Sequence, residues 1–378
     1  MNPGANGRAD MQPHTDQRRR IDWVDTAKGL CIVMVVMVHA TLGVEAAAGR
    51  EGWMHYSVAF ARPFRMPDFF LISGLFLGLV IDRPWRRYID RKVVHFVYFY
   101  LLWLAIQFAF KAPGMMMEDG VAAPVENFLF AFVQPFGTLW FIYLLPVFFV
   151  FTRIVKTLPV WFVFAWAAVM EMLPVLTGSI FFDEFCARYV YFFAGYVLAT
   201  QVFRVADFIR AHPVPTIVAI ALWAPVNAML VFTPAPEALA AFVQPDIGDS
   251  GSTGGIAELP LVSLPLGAAG IVVVIAAAVF LSRVGAMRWL TWLGAHSIVV
   301  YLAFFLPMAT TRVVLLKTGI ITDVGTISLM ATIAGVVGPV ILYGMVQWSG
   351  WGKFLFERPD WAKLDRVRAR RDHILPAE

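Results

Sequence analysis

Asp25, Lys28 and His39 stand in the stretch DTAKGLCIVMVVMVHA, whose other residues are mostly those of a helix in an apolar medium. Eleven positions separate Lys28 from His39. At about 100° per residue that is three turns and roughly 20°, so both project from one stripe about 16 Å apart along the axis. Asp25, three residues before Lys28, lies near the same stripe. Ionisable groups within an apolar span usually face the bundle interior and mark a functional pathway, and a histidine, titrating near neutrality, is the side chain suited to moving a proton there. The plainer alternative is that Lys28 snorkels to headgroups and His39 hydrogen-bonds a neighbouring helix.

A second constellation is FRMPDFFLISGLFLG, residues 64–78. Arg65 and Asp68 are three residues apart, and Pro63 and Pro67 interrupt helical hydrogen bonding around them. A helix broken at membrane depth exposes backbone groups only where it lines a cavity. The competing reading of Arg65 and Asp68 is an interfacial ion pair. Gly74 and Gly78 form a small-xxx-small pair that reads as helix packing.

The elements that must carry these residues follow from composition. Of 378 residues 60% are hydrophobic and 15% charged, against a usual charged fraction of about 25%. The apolar residues come in blocks of about twenty, the length of a membrane-crossing helix. The fold expected is all-α, a polytopic membrane bundle of about ten helices at 28–47, 60–81, 93–111, 128–151, 157–177, 185–203, 214–233, 262–282, 292–314 and 325–348. With both termini cytosolic, most of the 30 Lys and Arg fall on the inner side, as the positive-inside rule requires. Residues 1–19 read as a disordered cytosolic tail, 20–352 as one integral membrane domain and 353–378 as a basic cytosolic tail. The first apolar run is too long for a signal-peptide core and is followed by further spans, so it reads as an uncleaved helix.

The outer loop 234–261 holds Glu237, Asp246, Asp249 and Glu258 without Lys or Arg, and its DIGDSGSTGG segment reads as mobile. The basic inner rim suits anionic lipids. Nucleic acid is excluded as a partner, because the basic residues are scattered without an aromatic-interleaved patch. Cys31 and Cys186 fall near opposite faces, cannot pair, and read as small buried apolar residues.

VDTAKGLCIVMVVMVH resembles the first-helix signature of the acyltransferase-3 family of integral membrane O-acyltransferases: an aspartate, then a basic residue, ten residues and a histidine. FRMPDFFLISGLFLG is similar to that family's second-helix segment. GTLWFIYLLPVFF from Gly137, RYVYFFAGYVLA from Arg188 and WLGAHSIVVYLAFFLP up to Pro307 resemble later helices, in the same order. Three departures stand out. Lys28 replaces the usual arginine, as in the branch resembling fucose O-acetylases and nodulation-factor acetyltransferases. Arg65 stands where that branch has histidine and Asp68 where it has an apolar residue. Phe304 occupies a position where many members have a histidine.

The resemblance implies transfer of an acyl group, most often acetyl, from cytosolic acyl-coenzyme A to a sugar hydroxyl of a surface or exported glycan. It implies His39 as catalytic base, with Lys28 and Asp25 binding the donor. Ser73, Trp140, Tyr143 and Tyr301 are candidate donors to an oxyanion, and Arg65, Asp68 and Arg188 candidates for the acceptor site; for each, packing or interfacial anchoring is the alternative. Glu171 has no evident partner, and His296 reads as structural. No phosphate loop, zinc spacing or nucleophile-elbow serine is visible, so no metal and no bound cofactor are expected, with acyl-coenzyme A (acetyl-coenzyme A first) as co-substrate. The expected partners are a glycan or lipid-linked sugar acceptor and membrane lipids, in the bacterial inner membrane. The rival class is a glycan or lipid-linked sugar transporter or flippase, but transporters tend to repeat their broken helices in two halves, and the proline-broken segment occurs here once. Oligomeric state, acyl group and acceptor are not set by the sequence.

Overall fold

The computed structural model describes residues 12–244 and 252–364, with side chains from Asp22 onward. Among these the chain is helical apart from its connections, with one isolated bridge between Pro234 and Gly255. The principal helices are α1 (Gln12–Ala48), α2 (Met54–Gly74), α3 (Trp85–Glu118, through a π turn at Asp90–Val94), α4 (Trp140–Val155) and α5 (Val160–Met172). They continue as α6 (Ile180–Val197), α7 (Ala199–Ala211), α8 (Pro213–Phe232) and α9 (Pro260–Leu281). The last are α10 (Arg288–Ala295), α11 (Ser297–Ala303), α12 (Phe305–Thr318) and α13 (Val324–Ser349).

Six helices among the described residues are long and apolar enough to cross a membrane, and eight spans result if the bent pairs α6–α7 (78°) and α11–α12 (48°) each count once. Each of the ten expected segments contains helix, and six to eight of them meet that length and composition. The segment read at 60–81 is α2, long enough at 21 residues but carrying Arg62, Arg65 and Asp68. The segment read at 157–177 shrinks to α5, of 13 residues. Two expected straight spans, 185–203 and 292–314, contain the bends. α1 starts at Gln12, inside the segment read as a tail, and residues 1–11 lie outside the described residues.

α1 occupies the centre, packed against α2, α9, α10 and α13. Missing side chains let the backbones approach. A Cβ on Gly294 of α10 would collide with the Asp25 carbonyl, and one on Gly29 with the Leu290 carbonyl. α2 meets α6 in the same way, with Gly74 against the Phe192 carbonyl and Gly195 against the Leu71 carbonyl. The packing reading of Gly74 therefore holds, but its counterpart is Gly195 on another helix; Gly78 meets only the edge of Tyr196.

α13 begins where α1 ends: Arg50 Nη2 donates to the Thr322 carbonyl (2.7 Å) and Trp53 Nε1 to Asp323 Oδ2 (3.2 Å). The two helices run antiparallel, so the start of α1 and the end of α13 share one, arginine-rich end of the bundle, the end expected to be inner. There residues 351–364 fold back along α3. Tyr98 OH donates to the Phe354 carbonyl (2.9 Å), Trp103 Nε1 to the Leu355 carbonyl (3.0 Å), and Arg358 Nη2 to Asp90 Oδ2 (2.8 Å). The Leu364 amide reaches Asp90 Oδ1 at 2.8 Å. The described part of the expected basic tail is thus a strap that satisfies the carboxylate in the π turn.

At the outer end Glu258 is buried, paired with Arg62 Nη1 (2.6 Å), and accepts from Ser252 Oγ (2.6 Å) and the Thr253 amide (3.0 Å). The described part of the loop read as mobile is therefore pinned to α2. Asp246 and Asp249 lie outside the described residues.

Candidate active site on the first two helices

The polar stripe of α1 is present as spaced. Lys28 Nζ lies 3.1 Å from Asp25 Oδ1, with the two side chains 31% and 23% exposed, so the lysine is neither buried nor fully solvated. It opens onto a cavity of about 190 Å³ whose walls include Phe69, Ile72 and Ser73 of α2, Phe141 of α4 and Tyr301 of α11. Apart from Lys28, Ser73, Ser297 and Tyr301 the lining side chains are apolar. A channel of this kind takes an extended chain whose charged end stays at the lysine.

His39 stands beyond the cavity's far end. Tyr301 packs on Phe304 (ring centroids 6.3 Å), and Phe304 stacks on the imidazole (5.5 Å, 28° between planes). Among the described residues His39 makes no hydrogen bond or ion pair, and it is only half-buried. Its nitrogens are thus open to a ligand, and no carboxylate fixes the tautomer. Arg65 and Lys111 are the cations whose charge reaches it. Phe304, which replaces a frequent histidine, supplies a flat face and no second imidazole.

α2 is clamped to α1 at two levels. Cys31 Sγ donates to Asp68 Oδ2 (2.7 Å), and His55 Nδ1 meets Glu45 Oε2 (2.9 Å) further out. This corrects the reading of Cys31 as apolar filling: its thiol satisfies a buried carboxylate. Arg65, three residues outward of Asp68, is buried and starts between the level of Lys28 and that of His39. The proline-loosened stretch of α2 is also held by Asn227, whose Nδ2 donates to the Phe60 carbonyl at 3.0 Å.

The other predicted residues divide. Ser73 Oγ donates to the Phe69 carbonyl (2.8 Å) and Tyr301 OH to the Thr138 carbonyl (2.5 Å), so both line the cavity with their protons engaged. Tyr143 is turned away, its OH donating to the Phe132 carbonyl at 3.1 Å beside the outer connection. Trp140 is half-buried and its indole N–H has no acceptor among the described residues.

Arg188 is not brought to His39. It pairs with Glu184 (2.9 Å) and lines a separate polar pocket of about 50 Å³ with Pro63, Pro67, Glu171 and Tyr191. Along α2 the cavity residues Phe69, Ile72 and Ser73 lie roughly 180–280° round from Pro63, on the opposite face. The helix itself therefore separates Arg188 from the cavity at Lys28. Glu171, read as lacking a partner, accepts from Tyr191 OH (3.0 Å) and Ser263 Oγ (3.3 Å). His296 stacks on Trp292 (4.2 Å) and bonds its carbonyl, as a structural residue does.

Sequence reasoning missed the Glu45–His55 pair and two cations, Lys111 and Arg312. The cations sit near helix ends, where a basic residue looks like an ordinary boundary charge. Among the described residues no three His, Cys, Asp or Glu side chains come together as ligands for a metal.

A family model described as an acyltransferase domain matches residues 21–344, which hold every residue of the candidate site. This chain belongs to the acyltransferase-3 family. The acyltransferase domain is also similar to Inner membrane protein YcfT of Escherichia coli (strain K12), at 27% identity over 163 residues, or 36% of this chain and 44% of that protein. The chain thus spans less than half the length of the curated relative it matches. No solved structure matches it.

Proposed function

We propose that this integral membrane protein is an O-acyltransferase of the bacterial inner membrane. It moves an acyl group, acetyl first among them, from cytosolic acyl-coenzyme A to a sugar hydroxyl of a cell-surface or exported glycan. The observation that carries the reading is the apolar cavity of about 190 Å³ lined by Lys28 and Tyr301, with Phe304 packed between Tyr301 and His39.

Lys28 meets a phosphate of the donor, and Asp25 fixes the ammonium from the same helix face. The pantetheine arm lies along the apolar walls with its thioester inward, a run comparable to the roughly 16 Å between Lys28 and His39. His39 takes the hydroxyl proton as the acceptor oxygen bonds to the thioester carbon. The tetrahedral oxyanion is met by Arg65 or the Trp140 indole N–H. Its collapse breaks the C–S bond, and the imidazolium returns the proton to the departing thiolate. The acceptor attacks the donor directly, so no group need be carried on the protein.

Mass spectrometry of the host's surface glycans with and without the gene tests the reading. A loss of one acyl substituent per modified sugar on deletion supports it. Unmodified glycan retained inside the cell supports transport instead and overturns it.

A further inference from the structure

We infer that the acceptor is an anionic glycan, held through a carboxylate or phosphate by Lys111 and Arg312 on the outer side of His39. The inference rests on the acyltransferase reading and names the substrate class of the same site.

Lys111, on α3, lies between two aromatic faces, its Nζ 4.5 Å from the centroid of Phe136 and 4.8 Å from that of Phe305. Phe305 follows Phe304, the ring stacked on His39. Arg312, on α12, donates from Nη1 to the Gly43 carbonyl at 3.1 Å. Gly43 is four residues beyond His39, one turn outward on the same face of α1. A Cβ there would collide with Arg312, so the glycine is what admits the guanidinium. The two cations thus flank the outward approach to the imidazole and are near enough for Arg312 to act on Lys111.

Like Lys92 and Arg153 near the other end of the bundle, which rest on aromatic rings, they lack a paired carboxylate among the described residues; unlike those two, they lie beside His39. Arg62, Arg188, Arg358 and Lys28 each face a carboxylate at 2.6–3.1 Å. Among the described residues neither Lys111 nor Arg312 makes an ion pair. Asp68 is engaged by Cys31, and Glu45 is turned roughly 200° round α1 from Gly43 and engaged by His55. Two half-buried cations without an acid repel each other, a cost that an arriving anion removes through charge-assisted hydrogen bonds. The donor's phosphates do not serve, since Lys28 lies three turns away at the inner end. Binding the acceptor's anion here brings a neighbouring hydroxyl to His39.

The test compares glycans from cells carrying the wild-type gene, no gene, Lys111→Gln, Arg312→Gln and Lys111→Arg. Fragment spectra from wild-type cells should place the acyl group on a sugar that bears a carboxylate or phosphate, or adjoins one, and tell the two apart. Each Gln variant should lower acylation about ten- to hundredfold, the weight of one charge-assisted contact. Lys111→Arg should restore most of it, a rescue that mere packing would not give. Purified Gln variants should bind acetyl-coenzyme A as the wild type does, which checks the fold. An acyl group on a neutral sugar without an anionic neighbour, or wild-type acylation in both Gln variants, overturns the inference and leaves the acyltransferase reading standing. No acyl difference between cells with and without the gene removes both.

Discussion

His39 and Lys28 share a stripe, and the proposed mechanism gives them separable work. His39→Ala should lower turnover by about 10² to 10⁴, the usual weight of a general base, while acetyl-coenzyme A still binds; near-normal turnover in the purified variant would return His39 to packing. Lys28→Ala should raise the apparent donor constant roughly ten- to hundredfold, because a charge-assisted phosphate contact is lost. Its turnover at saturating donor should change far less, since uniform binding lost at a remote group leaves the chemical step alone. Lys28→Arg should keep most of the affinity, and a donor titration of the three variants distinguishes these outcomes. The stripe was legible because helical spacing alone puts Asp25, Lys28 and His39 in line. The placing of Arg188 in a separate pocket was not legible, because sequence does not tell which face of α2 it meets. Lys111 escaped notice because a lysine at the end of an apolar run is the commonest boundary signal.

At the scale of elements, the site depends on how closely α2 can lie to α1 and α6. Gly195→Val would press a branched side chain onto the Leu71 carbonyl and the Cα of Gly74. Overpacking of this kind costs about 1–3 kcal/mol, so the detergent-solubilised variant should melt several degrees below wild type. Gly344→Ala, on α13 with open space around it, should melt with the wild type; equal melting of Gly195→Val and Gly344→Ala would show that the crossing is not tight. The helical class and the apolar lengths were readable from composition and periodicity. The bends were not, because the breaks at Leu198 and Phe304 fall on apolar residues with apolar neighbours on both sides. α2 was readable as a helix, whereas its contact with Gly195 joins segments more than a hundred residues apart.

For the whole molecule, the antiparallel pairing of α1 and α13 puts the start of one and the end of the other on one side, and we expect that side to be cytosolic. In a Cys186→Ala background, Glu237→Cys should react with an impermeant thiol reagent in intact cells, and Lys353→Cys only after lysis. The reverse pattern would invert the topology and remove the cytosolic donor. The charge asymmetry that supports this orientation was visible in sequence, but the strap was not, since a basic C-terminal segment gives no sign of a carboxylate 268 residues earlier waiting for it. That separation bears on how the protein is made. Asp90 leaves the ribosome before the helices from α4 onward, whereas Arg358 and Leu364 follow α13, so the π turn stays without its partners while those helices are made. A nascent chain can hold every described membrane helix and still lack the strap; closure of this end of the bundle is a late event, timed by the synthesis of residues 358–364.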